Sequence, residues 1–258
     1  MPTISIPNQT IYYAARGQHG APLVFIHGAG DNHLLWNDAL VAAANASRAY
    51  ALDLPGHGRS SGSGCATILD YANVVREFLD AAEIARAIFV GISMGGAIAQ
   101  TLALEFPTRV LGLGLVGTGA RLRVAPQFLD GIQNDFENTA RALAANFYSS
   151  QAADALIETS AATLMATGAQ ILYADFAACD AFDVRARLGE MRAPTLVVCG
   201  AADKMTPPRY SEFLAQHIAG AELQLIDNAG HLALREQPTE FKRILLRWLE
   251  QFRIESVL

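Results

Sequence analysis

The sequence predicts an α/β protein: a mostly parallel central sheet with helices on both faces and a small helical cap inserted after the sixth strand. Three observations predict it. Short apolar runs alternate with stretches of helical periodicity. Those runs are apolar at successive positions rather than at alternate ones, as strands covered on both faces are. The strand signal stops over residues 119–191 and then resumes. With 258 residues, 52% hydrophobic and 17% charged, the chain has apolar mass for one sizeable core and little for disordered tails.

The elements follow in order. The opening reads as a hairpin, with strands over 3–6 and 10–15 separated by Pro7 and Asn8. A strand over 23–26 runs into Gly28, a helix is expected over 34–46, and a strand over 50–54 leads to the turn Pro55-Gly56-His57-Gly58. Leu69, Ala72, Val75, Phe78 and Leu79 recur at helical spacing within 67–82. A strand over 87–90, an apolar helix over 94–106 closed by Pro107 and a strand over 110–116 complete the first βαβ series. Residues 87–106 carry one charge, Glu105, and are long enough to cross a bilayer, but Gly91, Ser93, Gly95 and Gly96 interrupt them as a buried strand-turn-helix would. Helices are expected over 127–148, 152–166 and 169–178. Alternation then resumes with strands over 195–199 and 222–226 and helices over 208–218 and 239–252. The division this implies is a core domain of residues 1–118 and 192–258 and a cap of residues 119–191.

The formal charge of −6 and the absence of a Lys/Arg run argue against nucleic acid and against an anionic membrane surface as partners. Cys65, Cys179 and Cys199 are widely separated, with neither a C-x-x-C pair nor zinc spacing, and suit a reducing cytoplasm as small buried hydrophobes. The first residues have neither the basic nor the apolar stretch of a signal peptide. His27, Asp31 and His33 match no metal-site spacing. Gly112-Leu113-Gly114-Leu115-Val116-Gly117 fits G-x-G-x-x-G, yet it occupies a predicted strand instead of opening a helix, so no dinucleotide is expected.

Gly91-Ile92-Ser93-Met94-Gly95 is a G-x-S-x-G between a predicted strand and a predicted helix. In that context the serine sits on a sharp turn and projects its hydroxyl above the sheet edge. Side chains two residues before and after it would strike neighbouring backbone, hence glycine at both places. The following helix directs its N-terminal amide dipoles at the site. An alcohol needs a base at neutral pH, and histidine has the suitable pKa. Of six histidines, His231 lies in a loop just after the last predicted strand, over the same carboxyl end of the sheet as Ser93. Asp203 follows the strand over 195–199 and falls at the same edge, where it can fix the imidazole tautomer. The chain order Ser, Asp, His is neither the chymotrypsin nor the subtilisin order. Two backbone N–H groups must meet the charge of a tetrahedral intermediate. Met94 offers one; Ala29, in the loop His27-Gly28-Ala29-Gly30, is expected to offer the other, with His27 supporting the loop.

These residues resemble the α/β-hydrolase superfamily over nearly the whole chain. The resemblance rests on His27-Gly28-Ala29-Gly30, on Asp53-Leu54-Pro55-Gly56-His57-Gly58-Arg59-Ser60, on Gly91-Ile92-Ser93-Met94-Gly95-Gly96, and on the Asp203 and His231 loops. The elbow and Pro107-Thr108-Arg109-Val110 look like those of carboxylesterases, enol-lactonases and carbon-carbon bond hydrolases with a small helical cap. The resemblance implies a hydrolase without cofactor or metal, cleaving a carboxylic ester through an acyl-enzyme; the aromatic residues of the insertion imply a preference for apolar acyl groups over charged ones. The resemblance also implies that the Asp53 to Ser60 stretch is structural and that His57 is not catalytic. A lactonase acting on an acyl-homoserine lactone or enol-lactone, or a carbon-carbon bond hydrolase, would use the same three residues and stays open, as does a slow-turnover ligand receptor. Ser93 opposes the dehalogenases and epoxide hydrolases of this fold, whose nucleophile is aspartate. The expected partner is a small-molecule ester or lactone, and the expected state a monomer or homodimer. Phe128, Phe136, Phe147, Leu172 and Phe176 of the insertion, with Trp36, Met205 and Leu232, are the candidate substrate-binding residues.

Overall fold

A computed structural model describes residues 2–252. Met1 and residues 253–258, which the core domain predicted from sequence includes, lie outside the described residues. Strands β1 (Thr3–Ile6) and β2 (Gln9–Arg16) form the hairpin. Its turn depends on Asn8 at φ 65°, a left-handed conformation that asparagine accepts more readily than most residues. The remaining strands are β3 (Ala21–Ile26), β4 (Ser47–Leu52), β5 (Ala87–Ile92), β6 (Val110–Val116), β7 (Thr195–Gly200) and β8 (Glu222–Ile226). They make one eight-stranded sheet in the order β1-β2-β4-β3-β5-β6-β7-β8. Pairing is antiparallel for β1 with β2 and β2 with β4, and parallel from β4 to β8.

Every residue of β5 and β7 is buried, as the unbroken apolar runs require. One face carries α2 (Ile68–Ala81), α3 (Met94–Glu105) and α8 (Pro208–His217), whose Tyr71, Val75, Phe78, Ile98, Leu102 and Leu214 pack with Val24, Phe89 and Leu113 of the sheet. The other carries α1 (Asn37–Ala43) and α10 (Pro238–Leu249), where Leu40, Phe241, Leu245 and Trp248 meet Phe25, Ile88 and Val198. Thr67 and Asp70 start α2 with a capping box, each side chain accepting from the other's backbone amide. Between β6 and β7 lie four α-helices: α4 (Pro126–Asn134), α5 (Phe136–Asn146), α6 (Asp154–Thr167) and α7 (Ala169–Ala181).

Several boundaries depart from the sequence pattern. The single helix predicted over 127–148 is two, because Asp135 leaves the helical region (φ −151°, ψ 65°) and Asn138 Nδ2 donates to its carboxylate. Gly131 then faces Thr139 so closely that a Cβ there would lie 2.4 Å from the threonine hydroxyl. The helix predicted over 34–46 is a 3₁₀ turn, His33–Trp36, followed by the shorter α1. The strand predicted over 50–54 begins at Ser47, where it pairs with Ala21, and ends before Asp53, whose carboxylate binds the amides of His33 and Arg59. A short helix α9 (Ala233–Glu236) precedes α10 and has too few residues to show a period.

Candidate active site

β5 delivers Ser93 at the carboxyl edge of the sheet with φ 52° and ψ −116°, outside the helical region that Met94 enters. The strain has a local cause. A Cβ on Gly91 would lie 2.0 Å from the Gly95 carbonyl oxygen, and one on Gly95 would lie 2.2 Å from that of Ile26. The chain can therefore double back beside β3 only with glycine at both places. The turn is pinned by Ser93 N donating to Val116 O (2.9 Å) and by Thr118 Oγ1 donating to Ser93 O (2.8 Å).

His231 comes from the loop after β8, held by Leu232 N to Phe147 O (3.0 Å) and by the ring of Phe147, whose centroid is 5.9 Å from the imidazole. Its Nδ1 is 2.9 Å from Asp203 Oδ2 and 3.1 Å from Thr206 Oγ1. Asp203 follows β7 and is almost fully buried. It also accepts from Met205 N (2.8 Å), Thr206 N (2.9 Å) and Thr206 Oγ1 (2.9 Å). Burial alone would push its carboxyl upward, but His231 and the Thr206 donors outweigh burial and hold it below the usual carboxylate range. With Nδ1 turned to the carboxylate, Nε2 is the nitrogen left for the cavity.

Ser93 and His231 both line one cavity of about 70 Å³, together with Gly28, Ala29, Phe147, Phe176, Met205 and Leu232. Ser93 Oγ makes no hydrogen bond to His231 among the described residues, a separation common before substrate tightens such sites. A Cβ on Gly28 would lie 3.4 Å from Ser93 Cβ, so the His27 to Gly30 loop stands against the base of the Ser93 side chain. Ala29 lies in that loop, and Met94 N opens α3, where amides have no intrahelical acceptor.

A buried polar network fixes the loop. Asp175, on α7, is completely buried; Oδ2 accepts from Gly30 N (2.8 Å) and lies 2.8 Å from His57 Nε2, while Oδ1 accepts from Tyr71 Oη (2.5 Å). His57 Nδ1 faces the Pro55 carbonyl (3.0 Å), so both ring nitrogens have acceptors. Burial lowers the His57 pKa, but the Asp175 charge outweighs it and raises the value above that of a free histidine. His27 is the reverse case: Leu54 N donates to Nε2 (3.0 Å), so Nδ1 carries the proton and donates to Gly28 O (2.7 Å). Burial and the neighbouring His57 lower its pKa to about 4. His33 Nδ1 pairs with Asp53 Oδ1 at 2.7 Å.

Of the candidate substrate-binding residues, Phe147, Phe176, Met205 and Leu232 line the cavity and four do not. Trp36 is fully buried and stacks on Phe25, centroids 4.9 Å apart, in the packing of α10 on the sheet. Leu172 is fully buried; with Leu164 it fills the space a Gly30 side chain would need. Phe128 and Phe136 pack against the apolar cluster beneath the insertion. Sequence reasoning missed Asp31, Leu122, Arg123, Val124, Thr206 and Tyr210, which also line the cavity. Burial raises the Asp31 carboxyl, with Arg235 Nη2 3.8 Å away acting against it. Leu122 to Val124 were findable: they follow β6, and residues just past the carboxyl end of a strand in such a sheet face the site.

The family profile described as the α/β hydrolase fold matches residues 21–238. The chain belongs to this family. As an α/β hydrolase it is similar to 3-oxoadipate enol-lactonase 1 of Acinetobacter baylyi, at 30% identity over 92% of this chain and 91% of that protein. It is similar to a pimeloyl-acyl-carrier-protein methyl ester esterase of Pectobacterium carotovorum, at 29% identity over 90% and 95%. Among solved structures, an enzyme titled as degrading N-acyl homoserine lactones superposes with a TM-score of 0.86 and 31% identity, over 95% of this α/β hydrolase and 99% of that chain.

Proposed function

We propose that this α/β hydrolase is a carboxylesterase that cleaves small-molecule carboxylic esters through an acyl-enzyme on Ser93. His231 takes the serine proton and returns it to the leaving alcohol, Asp203 orients and stabilises the imidazolium, and the Ala29 and Met94 amides receive the oxyanion. Water then releases the acid by the same steps in reverse. The observation that carries this reading is the opening of Ser93 and His231 into one cavity beside the Gly28–Ala29 backbone, with Asp203 paired to His231 behind it. Residues 119–191 serve as the cap, giving the cavity Leu122, Val124, Phe147 and Phe176, an apolar wall for the acyl group. Three unpaired cysteines fit the cytoplasm, and no helix of the described residues is long and apolar enough to cross a membrane.

Purified protein incubated with p-nitrophenyl acetate should turn over repeatedly and, when quenched, carry an acetyl group on Ser93 by mass spectrometry. Ser93→Ala should cut turnover by a factor on the order of 10⁶. Full activity in that variant would sink the assignment. Lactone cleavage is the second reading, favoured by relatives named as enol-lactonase and N-acyl homoserine lactone degrading enzyme. A kcat/KM for either lactone above that for every linear ester would select it.

A further inference from the structure

The cavity at Ser93 is small for a hydrolase of long acyl groups. Its volume of about 70 Å³ is well below the roughly 300–1,000 Å³ of sites that enclose a whole small ligand. A scissile ester fits there, and the rest of a longer substrate must lie outside. What lies outside is a groove of about 330 Å³ that shares Arg123 and Tyr210 with the cavity and is lined further by Arg121, Arg185, Arg209 and Phe213.

Backbone contacts fix the groove's shape. Arg121 and Asp183 form an isolated antiparallel bridge, with Val184 N donating to Ala120 O at 2.8 Å. Tyr210 sits where a side chain on Gly119 would strike it, 2.8 Å from the added Cβ. Two carboxylates accompany the arginines: Asp183 pairs with Arg185 (2.6 Å) and Arg121 (3.7 Å), and Asp180 pairs with Arg123 (3.1 Å). The Arg209 guanidinium lies over the Tyr210 ring, 5.2 Å from its centroid. Four guanidiniums against two carboxylates leave a local excess of two positive charges on a chain whose net charge is −6. Arginine's planar fork matches the oxygens of carboxylate and phosphate, and the apolar cavity wall precedes it along the path from Ser93.

We propose that this groove binds the anionic end, a carboxylate or a phosphate, of a substrate whose ester lies at Ser93. The proposal rests on the hydrolase reading and extends it: an apolar segment crosses the cavity wall and a negative terminus meets the arginines.

The test compares methyl half-esters of linear dicarboxylic acids, and phosphate-terminated methyl esters, with neutral methyl esters of equal chain length. At low salt the anionic ester should have the higher kcat/KM by about tenfold, as expected for charge-assisted contacts at a half-exposed site. The ratio should fall toward one with added salt and in the double variant Arg123→Gln/Arg209→Gln, and persist in Arg243→Gln on α10. Whichever anionic series gives the larger ratio identifies the group. Equal or faster cleavage of the neutral esters, or a ratio that survives the double substitution, overturns the proposal while leaving the hydrolase reading intact. Calorimetric binding of the half-ester to Ser93→Ala, with and without the arginine changes, separates the two readings. Arginine-dependent binding in a protein whose wild type turns over no ester keeps the groove and removes the hydrolase; arginine-independent binding removes the groove.

Discussion

A Cβ at Gly117 would stand 3.2 Å from His231 Nδ1 and 3.4 Å from Asp203 Oδ2, on a backbone already at φ 46°. Glycine there lets the chain leaving β6 pass behind the His–Asp pair without touching it. Gly117→Ala adds a left-handed alanine, at about 1–2 kcal/mol, and presses a methyl group on the pair. The expected result is a lower melting temperature and a kcat reduced by about tenfold or more with KM nearly unchanged, because in the proposed mechanism the contact bears on proton transfer rather than on substrate. Steady-state kinetics with p-nitrophenyl acetate checks it, and an unchanged kcat would show that the pair tolerates the methyl. The residue was visible in the sequence only as the last glycine of a G-x-G-x-x-G run. Gly112 and Gly114 of that run have packing reasons of their own: a Cβ on either would lie 2.4 Å from Phe252 or 2.8 Å from Val90. The pairing of Asp203 with His231 and the cavity His231 shares with Ser93 were legible because chemistry restricts their residue types and strand ends restrict their positions. The neighbours of Gly117 are far away in sequence, so no local pattern announces them.

Helix α7 makes its polar tie to the core through one side chain, beside the apolar packing of Leu172, Phe176, Ala178 and Cys179. Asp175 ties it to the Gly30 amide, to His57 in the turn after β4 and to Tyr71 on α2, so the insertion and the His27 to Gly30 loop share a carboxylate. Asp175→Asn keeps the shape but turns an amide group toward donors and removes the charge opposite His57. A loss of about 3 kcal/mol or more is expected for breaking a buried pair, with amide exchange at Gly30 accelerated more than at Leu113 in mid-sheet. Denaturant midpoints and hydrogen exchange measure the two; equal acceleration at both amides would mean global destabilisation without a specific tie. Such ties explain which elements the sequence revealed. β6 and β8 were read at their true limits because apolar runs bounded by turns define strands locally. The break between α4 and α5 at Asp135 was not, since the apolar period runs through it and the bend is held by the Asn138 hydrogen bonds to Asp135 and the packing of Gly131 on Thr139. Likewise Leu172 and Trp36 have the composition of pocket residues, and which apolar side chains face a cavity depends on how helices stack.

Across the whole molecule the buried imidazoles give folding a dependence on pH whose sign follows from their shifts. His27 has its pKa lowered from 6.5 to about 4 in the fold. Between those values the unfolded chain binds a proton that the folded chain does not, so stability falls as pH drops through this window and the loss is complete near pH 4. At about 1.4 kcal/mol for each pH unit, that loss is on the order of 3 kcal/mol. His57 is raised, so its contribution is fully present below the unfolded value and is lost as pH rises through the folded one. Asp203 is lowered, and its contribution is present above the usual carboxylate range and lost as pH falls through its folded value. Asp31, raised by burial, acts in the opposite sense to Asp203. Stability should therefore peak near neutrality, with His27 responsible for the first part of the acid limb. His27→Gln isolates that part: the amide can still accept from Leu54 N and donate to Gly28 O, but it does not titrate. The variant should be less stable than wild type at about pH 7, and the gap should close by about 3 kcal/mol at about pH 4. Urea midpoints at the two pH values measure the gap; a gap independent of pH would mean that His27 keeps its ordinary pKa and is not held neutral by its burial.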